Sequence, residues 1–290
     1  MRVIWAIDAI GESALLVERA AEFLRHLAKR VAIEIEPVSV LEKIRQESGF
    51  EDSLLTDDQA LAGLKRSLMA ITSEFEDLAP HFLSAFVISG STHSPAKRLA
   101  RHAREREADL ILCSTHSRHG IPRLILGSFT EELLKTSEVP VAVVRVRPVP
   151  EPGRAVLWTD FSSGSATDFR NVVQQCLRFG SRLALFHCPE RPVEPIFQGG
   201  AYLFSGAQPQ LHRWTSPELV RLERRGLAWA RWAEHQGVDC QFVMDERPGR
   251  FAEHLIEWLE ANGAGLAFVR WSPRARELLR RSPCPVWVLR

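Results

Sequence analysis

The sequence predicts an α/β chain made of two tandem domains, each a doubly wound parallel sheet with helices on both faces. Two observations carry that prediction. Strand-sized apolar runs alternate with segments of helical periodicity, the pattern of parallel sheets with crossover helices. The chain also repeats itself: the first half opens with VIWAIDAIGES and closes with VPVAVVR, and the second opens with VLWTDFSSGS and closes with CPVWVLR. Between them Pro148, Pro150, Pro152 and Gly153 give a linker composition. The expected domains are 1–147 and 154–290.

In the first half, residues 3–7 read as a strand that ends at Asp8. Ser13 can cap a helix whose Val17, Ala20, Ala21, Leu24, Leu27 and Ala28 share one face. Val31, Ile33 and Ile35 alternate as a second strand. A long helix is expected over 57–79, a strand over 82–88, a helix over 95–106 and a buried strand in ADLILC. A helix then starts at Ser128, and the last strand covers 141–146. The second half follows the same order and adds a Pro/Gly-rich insertion at 188–210, which reads as a lid or as a packed surface loop.

Composition narrows the functional classes. A length of 290 residues suits two domains, and 45% hydrophobic with 25% charged residues suits an ordinary core. A formal net charge of +1 gives no long-range pull toward nucleic acid or an anionic membrane. No apolar run approaches the ~18 residues of a membrane span, and Asp8 interrupts the first one, against a signal peptide. The five cysteines are odd in number and lack CxxC or metal-ligand spacing. They read as reduced, buried thiols of a cytoplasmic protein.

The most informative stretch is STHSRHGIPRLILGSFTEELL, residues 114–134. Strand, loop and helix follow one another there. Ser128 and Glu131 have the spacing of an S-x-x-E capping box. The free amides at such a helix start carry partial positive charge, and Gly127 lets a ligand approach the backbone. A phosphate could sit on the amides of Ser128 and Phe129. Equally, the cap could satisfy itself and bind nothing.

With that spacing the chain resembles the universal stress protein family, as a tandem member with a degenerate second domain. Nucleotide-binding members carry G-x2-G-x9-G-[S/T] after the fourth strand. Here Ser114, Ser117, Gly127 and Ser128 keep the spacing, with serine at the first two glycine positions. The resemblance implies a Rossmann-like fold and adenosine near Asp8, Val38 and Cys113. It also implies phosphates near Ser114, Ser117, Gly127, Ser128 and Phe129, with ATP and Mg as the ligand. If either serine had to be left-handed it would cost roughly 1–2 kcal/mol. Its Cβ would also crowd a phosphate, although its hydroxyl could replace an amide contact. His116 and His119, in the same loop, could contact phosphate or face water.

The second half lacks the loop. LAFVR runs almost directly into a helix near Ser272, so TDFS at 159–162 has no phosphate partner and no nucleotide is expected there. Arg270, Arg274, Arg276, Arg280 and Arg281 read as a solvated face, some of them suiting a helix C-terminus. Seven of the eight tryptophans lie in this half, as core and inter-domain packing or, for Trp271 and others, as filling of the vacated pocket. The runs PVAVVRV and PVWVLR would pair antiparallel and cover each other's edges. Family members dimerise this way, so the chain resembles an intramolecular pseudo-dimer, and a further homodimer is possible. No G-x-S-x-G elbow, P-loop or Rossmann G-x-G-x-x-G appears. The expectation is a stress-response protein that acts by binding, either as an adenine-nucleotide sensor or as a nucleotide-free scaffold for a protein partner. At most it would hydrolyse ATP weakly.

Overall fold

In the computed structural model the strands of the first half are β1 (Arg2–Ala6), β2 (Glu34–Lys43), β3 (Ser84–Ser89), β4 (Leu110–Ser114) and β5 (Val141–Val144). Those of the second half are β6 (Arg154–Trp158), β7 (Arg182–His187), β8 (Cys240–Met244), β9 (Leu266–Arg270) and β10 (Val286–Leu289). The residues described are 1–43, 56–78, 83–89, 94–115, 126–162, 164–189, 217–247 and 250–290. The strands join into one sheet of order β3-β2-β1-β4-β5-β10-β9-β6-β7-β8. Pairing is parallel within each half, and β5 meets β10 antiparallel, with Trp287 opposite Ala142. The expected mutual covering of the two last strands is therefore present, and it fuses both halves into one sheet.

Helices α1 (Ala14–Ala28) and α2 (Asp57–Thr72) cover one face of the first half, with α5 (Ser165–Phe179) and α6 (Pro217–His235) beside them in the second. Helices α3 (Pro95–Glu105) and α4 (Ser128–Thr136) cover the other face, with α7 (Phe251–Ala261) and α8 (Pro273–Arg281). Among the described residues no helix is long and apolar enough to cross a membrane. Ser13 caps α1 as expected, accepting from the Leu16 amide.

Three details differ from the sequence reading. β2 begins at Glu34 rather than Val31, because its register starts where β1 starts, with Arg2 opposite Glu34. The 57–79 helix is α-helical only to Thr72. The Thr72 hydroxyl donates to Leu68 O (2.9 Å), and the chain tightens into a 3₁₀ turn over Ser73–Leu78 that puts Phe75 edge-on against Trp5. The Pro-rich join is no free linker. Val149 is buried, its carbonyl accepts from His26 Nε2 (3.0 Å), and Glu151 lies within 3.5 Å of Lys29 and Arg30. The 188–210 insertion lies outside the described residues, apart from its first two.

Candidate nucleotide-binding site

In the order β3-β2-β1-β4-β5 the chain reverses direction across the sheet between β1 and β4, so a crevice is expected beyond their carboxyl ends. A cavity of about 1390 Å³ lies there, above the roughly 300–1,000 Å³ of most small-molecule sites. Asp8, Val38, Cys113, Ser114, Gly127, Ser128 and Phe129 all line it. Ser117, His116 and His119 lie outside the described residues.

Each lining residue has a physical reason to be where it is. The Asp8 carboxylate accepts from the amides of Ile10 and Gly11 (3.1 and 3.0 Å) and turns the chain sharply after β1. A Cβ at residue 11 would lie 2.8 Å from Asp8 Oδ2, so a larger residue there would displace the carboxylate that holds the turn. Val38 is buried opposite Ala6 and forms part of the apolar wall. Cys113 is buried beside it. Burial, with the Glu12 carboxylate nearby, pushes its thiol up to about 12 despite an opposing hydrogen bond with Thr130. Cys113 is thus a neutral wall and not a nucleophile.

The polar end of the cavity is under-satisfied. Ser114 is 4% exposed, and its Oγ has no hydrogen-bond partner among the described residues. The expected S-x-x-E capping box does not form. Gly127 is the N-cap of α4, Ser128 is already the first helical residue, and no side chain caps the helix. Glu131 turns away instead, accepting from Lys135 Nζ (2.8 Å) and pairing with Arg276. Lys135 first, with Arg276 and Arg280, holds its carboxyl below the ordinary value against some burial. The start of α4 therefore presents uncapped amides, with their partial positive charge, to the cavity.

The second half supplies part of the wall. Ile256 and Glu260 of α7 and Leu279, Arg280 and Arg281 of α8 line the cavity, together with Arg145, Val146 and Arg147 just after β5. Arg147 pairs with Glu260 across the two halves (3.0 Å). The solvated-face reading holds for Arg270 and Arg274, which are exposed, and is corrected for the other three. Arg276 pairs with Glu131, Arg280 and Arg281 line the cavity, and Arg270 at the end of β9 donates to buried Asp168 (2.7 Å). This placement follows from the antiparallel β5–β10 pairing, which brings α8 beside α4. That topological step could have marked the arginines from sequence; composition alone could not.

The register identifies the corresponding positions of the second half. Ala6, Val38, Cys113 and Ser114 match Trp158, Phe186, Val269 and Arg270. Trp158 and Phe186 are buried, and Trp158 packs on Phe251 with ring centroids 4.3 Å apart. Among the tryptophans expected to fill this end, Trp158 occupies it together with Phe186, while Trp271 is only partly buried against the same core. The helix after β9 is also closed: Ser272 caps α8 by accepting from the Ala275 amide (3.1 Å).

Comparison with known proteins agrees with this architecture. The universal stress protein MJ0531 of Methanocaldococcus jannaschii is 37% identical over 51 residues, which are 18% of this chain and 30% of that relative's length. The crystal structure of a universal stress protein from Archaeoglobus fulgidus DSM 4304 matches all of this chain and 96% of its own at 15% identity, with a TM-score of 0.67. Another from Archaeoglobus fulgidus, solved in complex with dAMP, aligns with 50% of this chain and 97% of its own at 16% identity, with a TM-score of 0.36. The profile of the universal stress protein family matches residues 1–145. Those residues are half of the sequence and hold all five strands of the first half, and the chain belongs to the universal stress protein family.

Proposed function

We propose that this protein acts by binding an adenine nucleotide, ATP with Mg, in the first-half cavity, and that it serves as a nucleotide sensor. The residues 1–147 form the sensing domain and 154–290 a nucleotide-free domain. The observation that carries the reading is the pairing of two unmet needs at one place. The uncapped start of α4 and the buried, unpartnered Ser114 hydroxyl meet at the polar end of the cavity. Leaving a buried polar group unmatched costs roughly 1–3 kcal/mol, so a ligand oxygen that satisfies it is favoured. The adenosine end would be walled by Val38 and Cys113, with Asp8 at its edge. The serine at position 114 then acts as a donor to phosphate and not as a faulty glycine.

The second reading, a scaffold that keeps the fold for a protein partner, draws on the filled end of the second half. In either reading the protein works in the cytoplasm, and a homodimer is compatible with both.

Native mass spectrometry of the full chain with and without Mg-ATP tests the reading. One nucleotide per chain is expected, lost in Gly127→Val, whose side chain would crowd the helix start. Gly127 has φ −59° and ψ 147°, so valine fits its backbone and folding should survive. A chain that stays free of nucleotide at millimolar Mg-ATP would leave the scaffold reading in its place.

A further inference from the structure

Four arginines line the cavity and a fifth, Arg276, lies beside it on α8, and they fall into two groups. Arg276 pairs with Glu131, Arg281 lies 3.6 and 3.5 Å from Glu253 and Glu277, and Arg147 pairs with Glu260. Arg145 and Arg280 differ. Among the described residues no carboxylate lies within ion-pair distance of either, yet both are half-buried and both line the cavity. Arg280 Nε is buried without a hydrogen-bond partner. Arg145 uses one donor, on Ser282 O (3.3 Å), out of the five a guanidinium carries.

A half-buried guanidinium with no carboxylate in direct contact and most of its donors unused is costly, and a bound anion relieves that cost. The two arginines come from different halves of the chain. Arg145 follows β5, while Arg280 sits on α8 close enough to the first turn of α4 to act on the Glu131 carboxylate. The antiparallel seam between β5 and β10 brings them together.

We propose that Arg145 and Arg280 form a clamp, one arm from each half, for the polyphosphate chain of the ligand, so that the second half completes the first half's site. This rests on the nucleotide reading for the ligand's identity. The clamp itself requires only a multiply charged phosphate chain. Guanidinium groups suit this role because they bind phosphate oxygens through paired donors. The arginines would supply full positive charge beside the neutral amides and hydroxyls at the start of α4. The site would then prefer triphosphate over monophosphate, and the degenerate half would be retained for a reason beyond covering an edge strand.

The test is calorimetric titration of the full chain with ATP, AMP and inorganic tripolyphosphate, against Arg145→Met, Arg280→Met and the double variant. The lysine variants Arg145→Lys and Arg280→Lys keep charge at each position as a control for packing. Each methionine variant should weaken ATP and tripolyphosphate at least about tenfold, with AMP changed much less and lysine restoring part of the loss. Thermal melts verify that the variants remain folded. Tripolyphosphate that binds as tightly as ATP and is lost in the double variant would keep the clamp and remove the adenine reading. ATP that binds the wild type and the double variant equally would keep the nucleotide reading and overturn the clamp. Binding of none of the three would overturn both.

Discussion

The two carboxyl ends of this sheet are built on one plan and finished in opposite ways. In the first half, small side chains, Ala6 and Ser114 among them, surround an open cavity, and the helix that follows β4 is left uncapped. In the second, Trp158, Phe186 and Arg270 occupy the matching register, and Ser272 closes the helix that follows β9. The fold is common to both, so the fold does not decide whether a site exists. Three side chains, one helix cap and the length of one loop do. Two residues separate β9 from α8, against thirteen between β4 and α4. A loop that short has no length left to wrap a ligand, and the released volume is taken by rings that stabilise the core.

The contrast can be attacked from the filled side. Trp158→Ala should destabilise the chain by about 3–5 kcal/mol, as expected for removing a buried aromatic ring from a packed core. Denaturant unfolding monitored by circular dichroism measures this. The variant should gain no affinity for ATP, because the α8 amides are already served by Ser272. Nucleotide binding acquired in the second half of Trp158→Ala would show that volume alone separates the two ends.

The reverse transplant acts on the open side. Ala6→Trp places in the first half the ring that its register partner Trp158 holds in the second. ATP affinity should fall by about 100-fold or more, equivalent to ~3 kcal/mol. Stability should change less, because the ring enters existing space and not a packed interior. Isothermal titration together with a thermal melt separates the two effects. An unchanged affinity would mean that the ligand does not use the part of the cavity beside β1.

The sequence disclosed the architecture because the architecture follows from periodicity. Alternating strand and helix patterns, repeated openings and two similar closing strands were enough for the order of elements and the antiparallel seam. Seven of the eight expected site residues line one cavity, since the spacing from Ser114 to Gly127 and Ser128 is local and survives folding. Other features depended on competition that a pattern does not display. Ser128 and Glu131 have capping-box spacing, yet Glu131 finds Lys135 four residues on and Arg276 from the other half, so Gly127 becomes the cap. Arg145 and Arg280 are 135 positions apart and line one cavity only because of the seam. Which of the second-half tryptophans fills that end also depended on the sheet: alternation along β6 turns Trp158 toward it, whereas Trp271, after β9, stays only partly buried.

A smaller difference between the halves lies deeper in the sheet and should be visible as pH dependence. Glu36 on β2 is 3% exposed, and its register counterpart on β7 is Ala184. Burial alone would push the Glu36 carboxyl up. Hydrogen bonds from Ser84 Oγ (2.6 Å), His102 Nε2 (2.8 Å) and Arg106 Nε (2.9 Å) outweigh it, and the group is held below its ordinary value of 4.5. The unfolded chain therefore takes up this proton before the folded chain does. Its stabilising contribution is complete above about pH 4.5 and is lost as the pH falls from there through the lower folded value. Glu36→Gln should cost about 1–3 kcal/mol at neutral pH, because the buried donors lose a charged acceptor. The gap between wild type and variant should narrow on acidification below about pH 5. Urea unfolding at a series of pH values from neutral to ~3 measures it. A gap that stays constant over that range would mean that the cluster contributes through shape and hydrogen bonding alone, with no charge held in the first half that the second half lacks.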